Sequence, residues 1–155
     1  MMSNVQVTSS IGVNATPDNV WKYLCDAHMP TAPWCFQFGV PTPQTCRIIG
    51  EATGVGAHRQ CQTNQGFVGQ RITEWLPPQR LAFVATSDTI GLYKHIKEMQ
   101  DTFTLEQTAA GTMLIRQTTF ETTGALSFIK AIIFKVTVRR IHKFTMKGFK
   151  ALAEA

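Results

Sequence analysis

LSFIKAIIFKVTVRRIHKFTMKGFKALAE, residues 126–154, decides the fold. It has no Pro and a single Gly, Gly148, so it predicts one helix, about 40 Å long at a rise of about 1.5 Å per residue. Phe134, Val138, Ile141, Thr145, Gly148 and Leu152 recur at four-three spacing and form one stripe, with Arg139, Lys143, Lys147 and Lys150 on the opposite side. Nearer its start the stripe that later turns basic is apolar: Phe128, Ile132 and Val136 precede the cations, and Leu126, Ile129 and Ile133 complete a nearly all-round hydrophobic turn. A rod with one long apolar face needs a surface to lie on.

The residues before it supply that surface. Val5, Val7, Ile11 and Val13 share one parity against Gln6, Thr8, Ser10 and Asn14, the period of a strand with one wet face. Thr16, Pro17 and Asp18 then read as the cap and first turn of a short helix through Val20, Trp21 and Leu24. The segment His28–Pro43, broken by Pro30, Pro33, Pro41 and Pro43, leaves room for at most one or two more helical turns, a second short helix. From Thr45 the spacing of turn residues predicts a meander of strands: Thr45–Glu51, Ala57–Thr63, Phe67–Trp75, Arg80–Ser87, Met99–Gln107 and Thr112–Thr122.

At 155 residues, one domain spanning 1–155 is expected, and 44% apolar residues exclude a disordered chain. The formal charge of +5 is local. Seven of the fifteen cations follow residue 129, where Glu154 is the only acid, so a nucleic-acid partner is not expected. Met1–Ser10 lacks the basic start and apolar run of a secretory signal, and no apolar stretch reaches membrane-spanning length, which suggests a cytoplasmic protein. Cys25, Cys35, Cys46 and Cys61 have no CxxC pairing and read as free, partly buried thiols. Cys25, His28 and Cys35 lack the second ligand pair of a zinc site, so no metal is expected.

One strand, a short helical pair, six meandering strands and a long last helix is the element order of the helix-grip fold. The stretches Val13–Trp21, Gly54–Arg59, Thr73–Leu81 and Gly111-Thr112 resemble those of the START-like (SRPBCC, Bet v1-like) superfamily, in particular its bacterial polyketide cyclase/dehydratase-like members. The resemblance implies an α+β fold, a seven-stranded curved antiparallel sheet around the C-terminal helix, with two short helices after the first strand. It also implies a cavity between sheet and helix for a hydrophobic or amphipathic small molecule, lipid- or polyketide-like, that is bound, carried or sensed without metal or other cofactor. The alternatives are a cyclase/dehydratase-like enzyme working in the same cavity, or an interaction module using the apolar start of the last helix.

Phe83, Phe103, Phe134, Val138 and Ile141 are the expected apolar lining of that cavity, with Trp34, Trp75 and Tyr93 the aromatics nearest a ligand. Arg59, Gln70, Arg71, Glu74 and Arg116 lie within strands, where a one-residue change of register moves each between solvent and interior, and charged residues favour solvent. Turned inward, Arg59, Gln70 or Arg116 would hold a carboxylate, phenolate or carbonyl of the ligand. Ile90 and Leu92, from the loop at the same end of the sheet, join Phe128, Ile129 and Ile132 as an expected portal, with transient membrane contact or a homodimer as alternatives to a monomer packing this face under Trp34–Pro43. His58, His95 and His142 are scattered, His58 being the one considered as an acid or base. No GxSxG, HExxH or Walker lysine is present, and the catalytic residues stay unknown.

Overall fold

A computed structural model describes residues 3–32 and 40–155. Strand β1 (Ser3–Val13) leads through Thr16 into helix α1 (Pro17–Cys25), and the Thr16 Oγ1 accepts the Asn19 N–H at 3.3 Å as its cap. There follow β2 (Asp26–His28), β3 (Pro43–Ile49), β4 (His58–Thr63), β5 (Gly66–Leu76), β6 (Arg80–Asp88), a 3-10 turn at Leu92–Lys94, β7 (Ile96–Thr108), β8 (Gly111–Thr122) and helix α2 (Ser127–Glu154). All neighbours pair antiparallel in the order β1-β8-β7-β6-β5-β4-β3-β2. This is the expected helix-grip arrangement, with eight described strands where seven were expected. The extra one is the three-residue β2, too short to show any periodicity. The expected second short helix falls largely on residues 33–39, outside the described residues, as does Trp34.

Bulges bend the sheet. An extra residue interrupts β5–β6 pairing between Gly69 and Gln70 and again between Ile72 and Glu74, and β7–β8 pairing breaks between Lys97 and Gln100, beside Glu98 with its φ of 51°. Gly111 is required where β7 turns into β8, because a Cβ there would strike the Val13 carbonyl. On α2, a Cβ on Gly148 would lie 2.6 Å from Met29 Sδ, so glycine lets the helix close onto the segment after β2. The far end of α2 is tied down further by Asn19 Nδ2 donating to the Ala153 carbonyl at 2.7 Å and by the Asn14 N–H donating to Glu154 Oε1 at 2.7 Å.

Two hydrophobic clusters result. The larger gathers Val20 and Leu24 of α1, Leu81, Phe83, Phe103 and Leu114 of the sheet, and Met146, Phe149 and Ala153 of α2. The smaller joins Val5, Val7, Ile96 and Phe120 to Val138, with Leu92, Met99 and Phe134 packed on its edge. Cys46 and Cys61, directly opposite in the β3–β4 ladder with Cα atoms 4.1 Å apart, form a disulfide. This corrects the expectation of free thiols, since register across a ladder brings together cysteines that their sequence spacing keeps apart. Cys25 is free.

Candidate functional site

The first half of α2 does not close onto the sheet. Phe134, Thr137, Val138 and Ile141 face a mostly apolar cavity of about 140 Å³, whose other walls include Val68 and Gln70 of β5, Ile96, Met99 and Asp101 of β7, Arg116 and Phe120 of β8, and Cys61 of β4. Ile90 and Leu92, from the loop between β6 and β7, stand at its edge. That loop is held by Asp88, which accepts the Leu92 N–H at 2.9 Å and the Tyr93 N–H at 3.3 Å. The Thr89 N–H reaches the Phe67 carbonyl at 3.0 Å and the Thr123 N–H reaches the His95 carbonyl at 3.1 Å. The turn after β4, the loop after β6 and the link into α2 therefore share one end of the sheet, as a meander requires.

A belt of polar side chains separates the cavity from the larger cluster. Arg59 and Gln70 are cross-strand partners, and Arg59 Nη1 donates to Gln70 Oε1 at 2.6 Å while Nη2 donates to the Leu24 carbonyl at 3.3 Å. Arg59 is only 2% exposed, its Nε has no partner among the described residues, and its guanidinium lies 4.5 Å from the Phe83 ring centre. Arg116 grips Asp101 with two bonds, Nε to Oδ1 at 3.0 Å and Nη2 to Oδ2 at 3.2 Å, and donates from Nη1 to Thr145 Oγ1 at 2.8 Å. It covers the ring of Phe103, its ladder partner, at 5.0 Å.

Behind Arg116 the hydrogen bonds run in one direction. Thr118 Oγ1 donates its single proton to Asp101 Oδ1 at 2.6 Å, so His142 Nε2, which lies 2.6 Å from Thr118 Oγ1, must donate its own N–H to that hydroxyl. Nδ1 is then the acceptor for Ser9 Oγ at 3.0 Å, and His142 is a neutral Nε2–H tautomer. Burial and the charge of Arg116 push its pKa down to about 3, against the pull of Asp101. Burial alone would raise the Asp101 carboxyl, but the charge of Arg116 and the hydrogen bonds from Arg116 and Thr118 hold it below the usual carboxylate range. Arg59 is pushed down to about 10 by burial and by Arg116, and so remains charged at neutral pH.

The belt thus contains the buried guanidinium of Arg59, the half-buried one of Arg116 and one buried carboxylate, Asp101, which Arg116 occupies. Among the described residues Arg59 makes no ion pair. Because Arg59 holds the Gln70 oxygen, the amide nitrogen is the end left to the cavity wall, of which Arg116 is also a part. The polar end of an otherwise apolar space offers donors and an excess of positive charge.

Of the expected lining, Gln70, Arg116, Phe134, Val138 and Ile141 face the cavity. Phe83 and Phe103 lie in the solid cluster beneath the two guanidiniums, and Arg59 sits one residue behind the wall, acting through Gln70. Trp75 packs edge-on to Trp21, their ring centres 5.1 Å apart, against the same cluster. Tyr93 is on the surface, its hydroxyl donating to the Ala85 carbonyl. The expected portal divides: Ile90 and Leu92 border the cavity, whereas Phe128, Ile129 and Ile132 point into solvent from the far side of α2. His58 is exposed, as is Arg71, and Glu74 pairs with Arg80 at 2.8 Å.

Arg59, Gln70 and Arg116 turn inward, the orientation on which their expected role toward a ligand depended, against the general preference of charged residues for solvent. Each is flanked two residues away by buried or cavity-facing neighbours: Ala57 and Cys61, Val68 and Ile72, Leu114 and Thr118. Parity with those neighbours was the usable signal. It would also have found Asp101, between Met99 and Phe103, which sequence reasoning missed along with Thr118, Ser9 and the role of His142.

The profile of a family described as polyketide cyclase / dehydrase and lipid transport matches residues 4–154. Protein CV1439 from Chromobacterium violaceum is 16% identical, with a TM-score of 0.67 over 97% of each chain. The ZhuI aromatase/cyclase from Streptomyces sp. R1128 is 17% identical, with a TM-score of 0.66, covering 99% of this chain and 94% of that one. For Ara h 8.0201 the identity is 14% and the TM-score 0.63, covering 99% and 96%. At these identities the likeness is one of fold. No curated protein matches the sequence.

Proposed function

Since the chain belongs to the polyketide cyclase / dehydrase and lipid transport family, we propose that it binds a small amphipathic molecule, its apolar body against Phe134, Val138 and Ile141 and an acceptor oxygen against Gln70 and Arg116. One observation carries this reading: the apolar cavity ends at a donor pair backed by an unbalanced buried charge on Arg59. An anionic or strongly polarised oxygen offsets that charge; an apolar end would leave it uncompensated. A void of about 140 Å³ suits one aromatic ring or a short chain, so a longer ligand must extend past Ile90 and Leu92.

Calorimetric titration with 3-phenylpropanoate and with 3-phenylpropanol tests the reading. Charge-assisted hydrogen bonds favour the carboxylate by about tenfold or more, and Gln70→Leu, which keeps the side chain's size, removes that preference. Equal binding of the two probes, or a preference that survives Gln70→Leu, overturns it.

A cyclase or dehydratase reading draws on the same donors, which would stabilise an enolate oxygen, and on the fold likeness to an aromatase/cyclase. It is the weaker reading. Among the described cavity residues the one carboxylate, Asp101, is committed to Arg116 and Thr118, and His142 stands behind Thr118, so no base is left uncommitted.

A further inference from the structure

Six of the ten exposed large hydrophobic side chains among the described residues fall within eleven positions of the α2 start: Leu126, Phe128, Ile129, Ile132, Ile133 and Val136, each 40% to 63% exposed. Scattered exposed hydrophobics are ordinary, but a concentration of this kind on one helix face marks a contact surface. The remainder of that face identifies the contact. Phe128, Ile132 and Val136 stand one above the other at four-residue spacing, and the same line continues into Arg139, Lys143 and Lys147, all exposed. Arg140 flanks this row, and no acid occurs between residues 127 and 153. Glu154, at the far end, is paired with Lys150 at 2.6 Å.

A water-facing surface does not need the apolar half, and a purely hydrophobic protein partner does not need the cationic half. Together they match a lipid–water boundary, where apolar side chains enter the acyl region and cations meet phosphate and carboxylate headgroups. No helix of the described residues is long and apolar enough to cross a membrane, so the contact is peripheral. The patch also adjoins the cavity rim: Phe134, one residue on from Ile133, lines the cavity, and its ring centre is 6.1 Å from that of His95 in the exposed loop.

We infer that the solvent face of α2 docks the protein, apolar end first, on an anionic phospholipid surface. Docking requires no cavity ligand, so it stands or falls apart from the binding reading above.

Co-sedimentation of the ligand-free chain with phosphatidylcholine vesicles, with and without phosphatidylserine, tests this. The protein binds the phosphatidylserine vesicles, and added salt weakens binding. Phe128→Ser with Ile132→Ser lowers affinity about tenfold or more, while Arg139→Glu with Lys143→Glu abolishes the preference for phosphatidylserine. Gln70→Leu leaves vesicle binding unchanged. All of the surface positions are exposed, so melting temperatures should match the parent; should the Ser pair misfold, Val136→Ser alone reports the same loss in smaller degree. No binding to either vesicle, or binding that survives the Ser substitutions, overturns the inference. So does a dimer in solution that the Ser pair converts to monomer without vesicle binding, which assigns the face to a second copy.

Discussion

The two halves of α2 meet the same sheet in opposite ways. From Met146 to Ala153 the helix is packed solid: Phe149 is 1% exposed and meets Phe103 edge-on at 5.7 Å, and Gly148 admits Met29 against the backbone. From Phe134 to Ile141 the helix faces space, and its outer side passes from the exposed apolar Val136 to the exposed cation Arg139. The difference teaches where stability and binding reside. A straight rod can follow a bent sheet closely over only part of its length, and here the closely fitted part is anchored to α1 through Asn19 while the other spans a void. The polar belt lies where one regime gives way to the other.

Truncation breaks the comparison most directly. Phe149→Ala is expected to cost about 3–5 kcal/mol, because its site is surrounded and cannot collapse. Phe134→Ala, already beside a void, is expected to cost nearer 1 kcal/mol. Urea denaturation of the two variants measures both, and equal costs would show that the halves do not differ in packing. Next in size is Asp101→Asn, which leaves the buried Arg59 and the half-buried Arg116 without a carboxylate and is expected to cost about 3 kcal/mol in the same assay. A cost below about 1 kcal/mol would mean that water already screens the belt.

Protonation gives a smaller and more specific effect. His142, fully buried, has its pKa pushed from 6.5 to about 3, so between those values an unfolded chain takes up a proton that the native chain refuses. Stability is therefore lost as the pH falls below 6.5, by about 1.4 kcal/mol per unit and about 2 kcal/mol in all by pH 5. His142→Gln, which keeps a donor toward Thr118, flattens stability over that window. Asp101 contributes in the same direction only at lower pH, since its carboxyl is held below its ordinary value. Denaturation midpoints at pH 7 and pH 5 decide it, and an undiminished slope in the variant locates the titrating group elsewhere.

What was legible in the sequence follows the same division. Strand parity in Val5 to Val13 and the four-three stripe of α2 are properties of single elements, and both survive in the structure. Thr16 as a cap is equally local. Sites made by register were not legible. Arg59 meets Gln70 only because β4 and β5 align those two residues, and Asp101 reaches Arg116 only diagonally across β7 and β8. Bulges deepen the difficulty: the extra residue opposite Gly69–Gln70 shifts β6 against β5, which composition does not announce. Phe83 and Phe103 illustrate the limit from the other side. Both face inward, as expected of lining residues, yet they belong to the solid half, because spacing along a strand says which face a residue occupies but not how far along the helix that face stays in contact.

Enlarging side chains probes the space itself, and at the cavity it has the smallest expected cost. Leu114, with no exposure in the solid cluster, has no room for an aromatic ring, so Leu114→Phe is expected to destabilise by about 1–3 kcal/mol. Ile141 borders the cavity, and Ile141→Phe can turn its ring into the void, with an expected change within about 1 kcal/mol. The consequence for binding runs the other way. Ile141→Phe consumes space from a cavity of about 140 Å³ and should weaken 3-phenylpropanoate binding about tenfold, while the less stable Leu114→Phe, as long as it is folded, should bind it normally. Denaturation and titration on the same two proteins thus give opposite orders if packing and binding are divided along α2. A matching order, with Ile141→Phe as destabilising as Leu114→Phe, would mean that the first half of the helix closes onto the sheet in solution, and the space proposed for the ligand would be lost with the comparison.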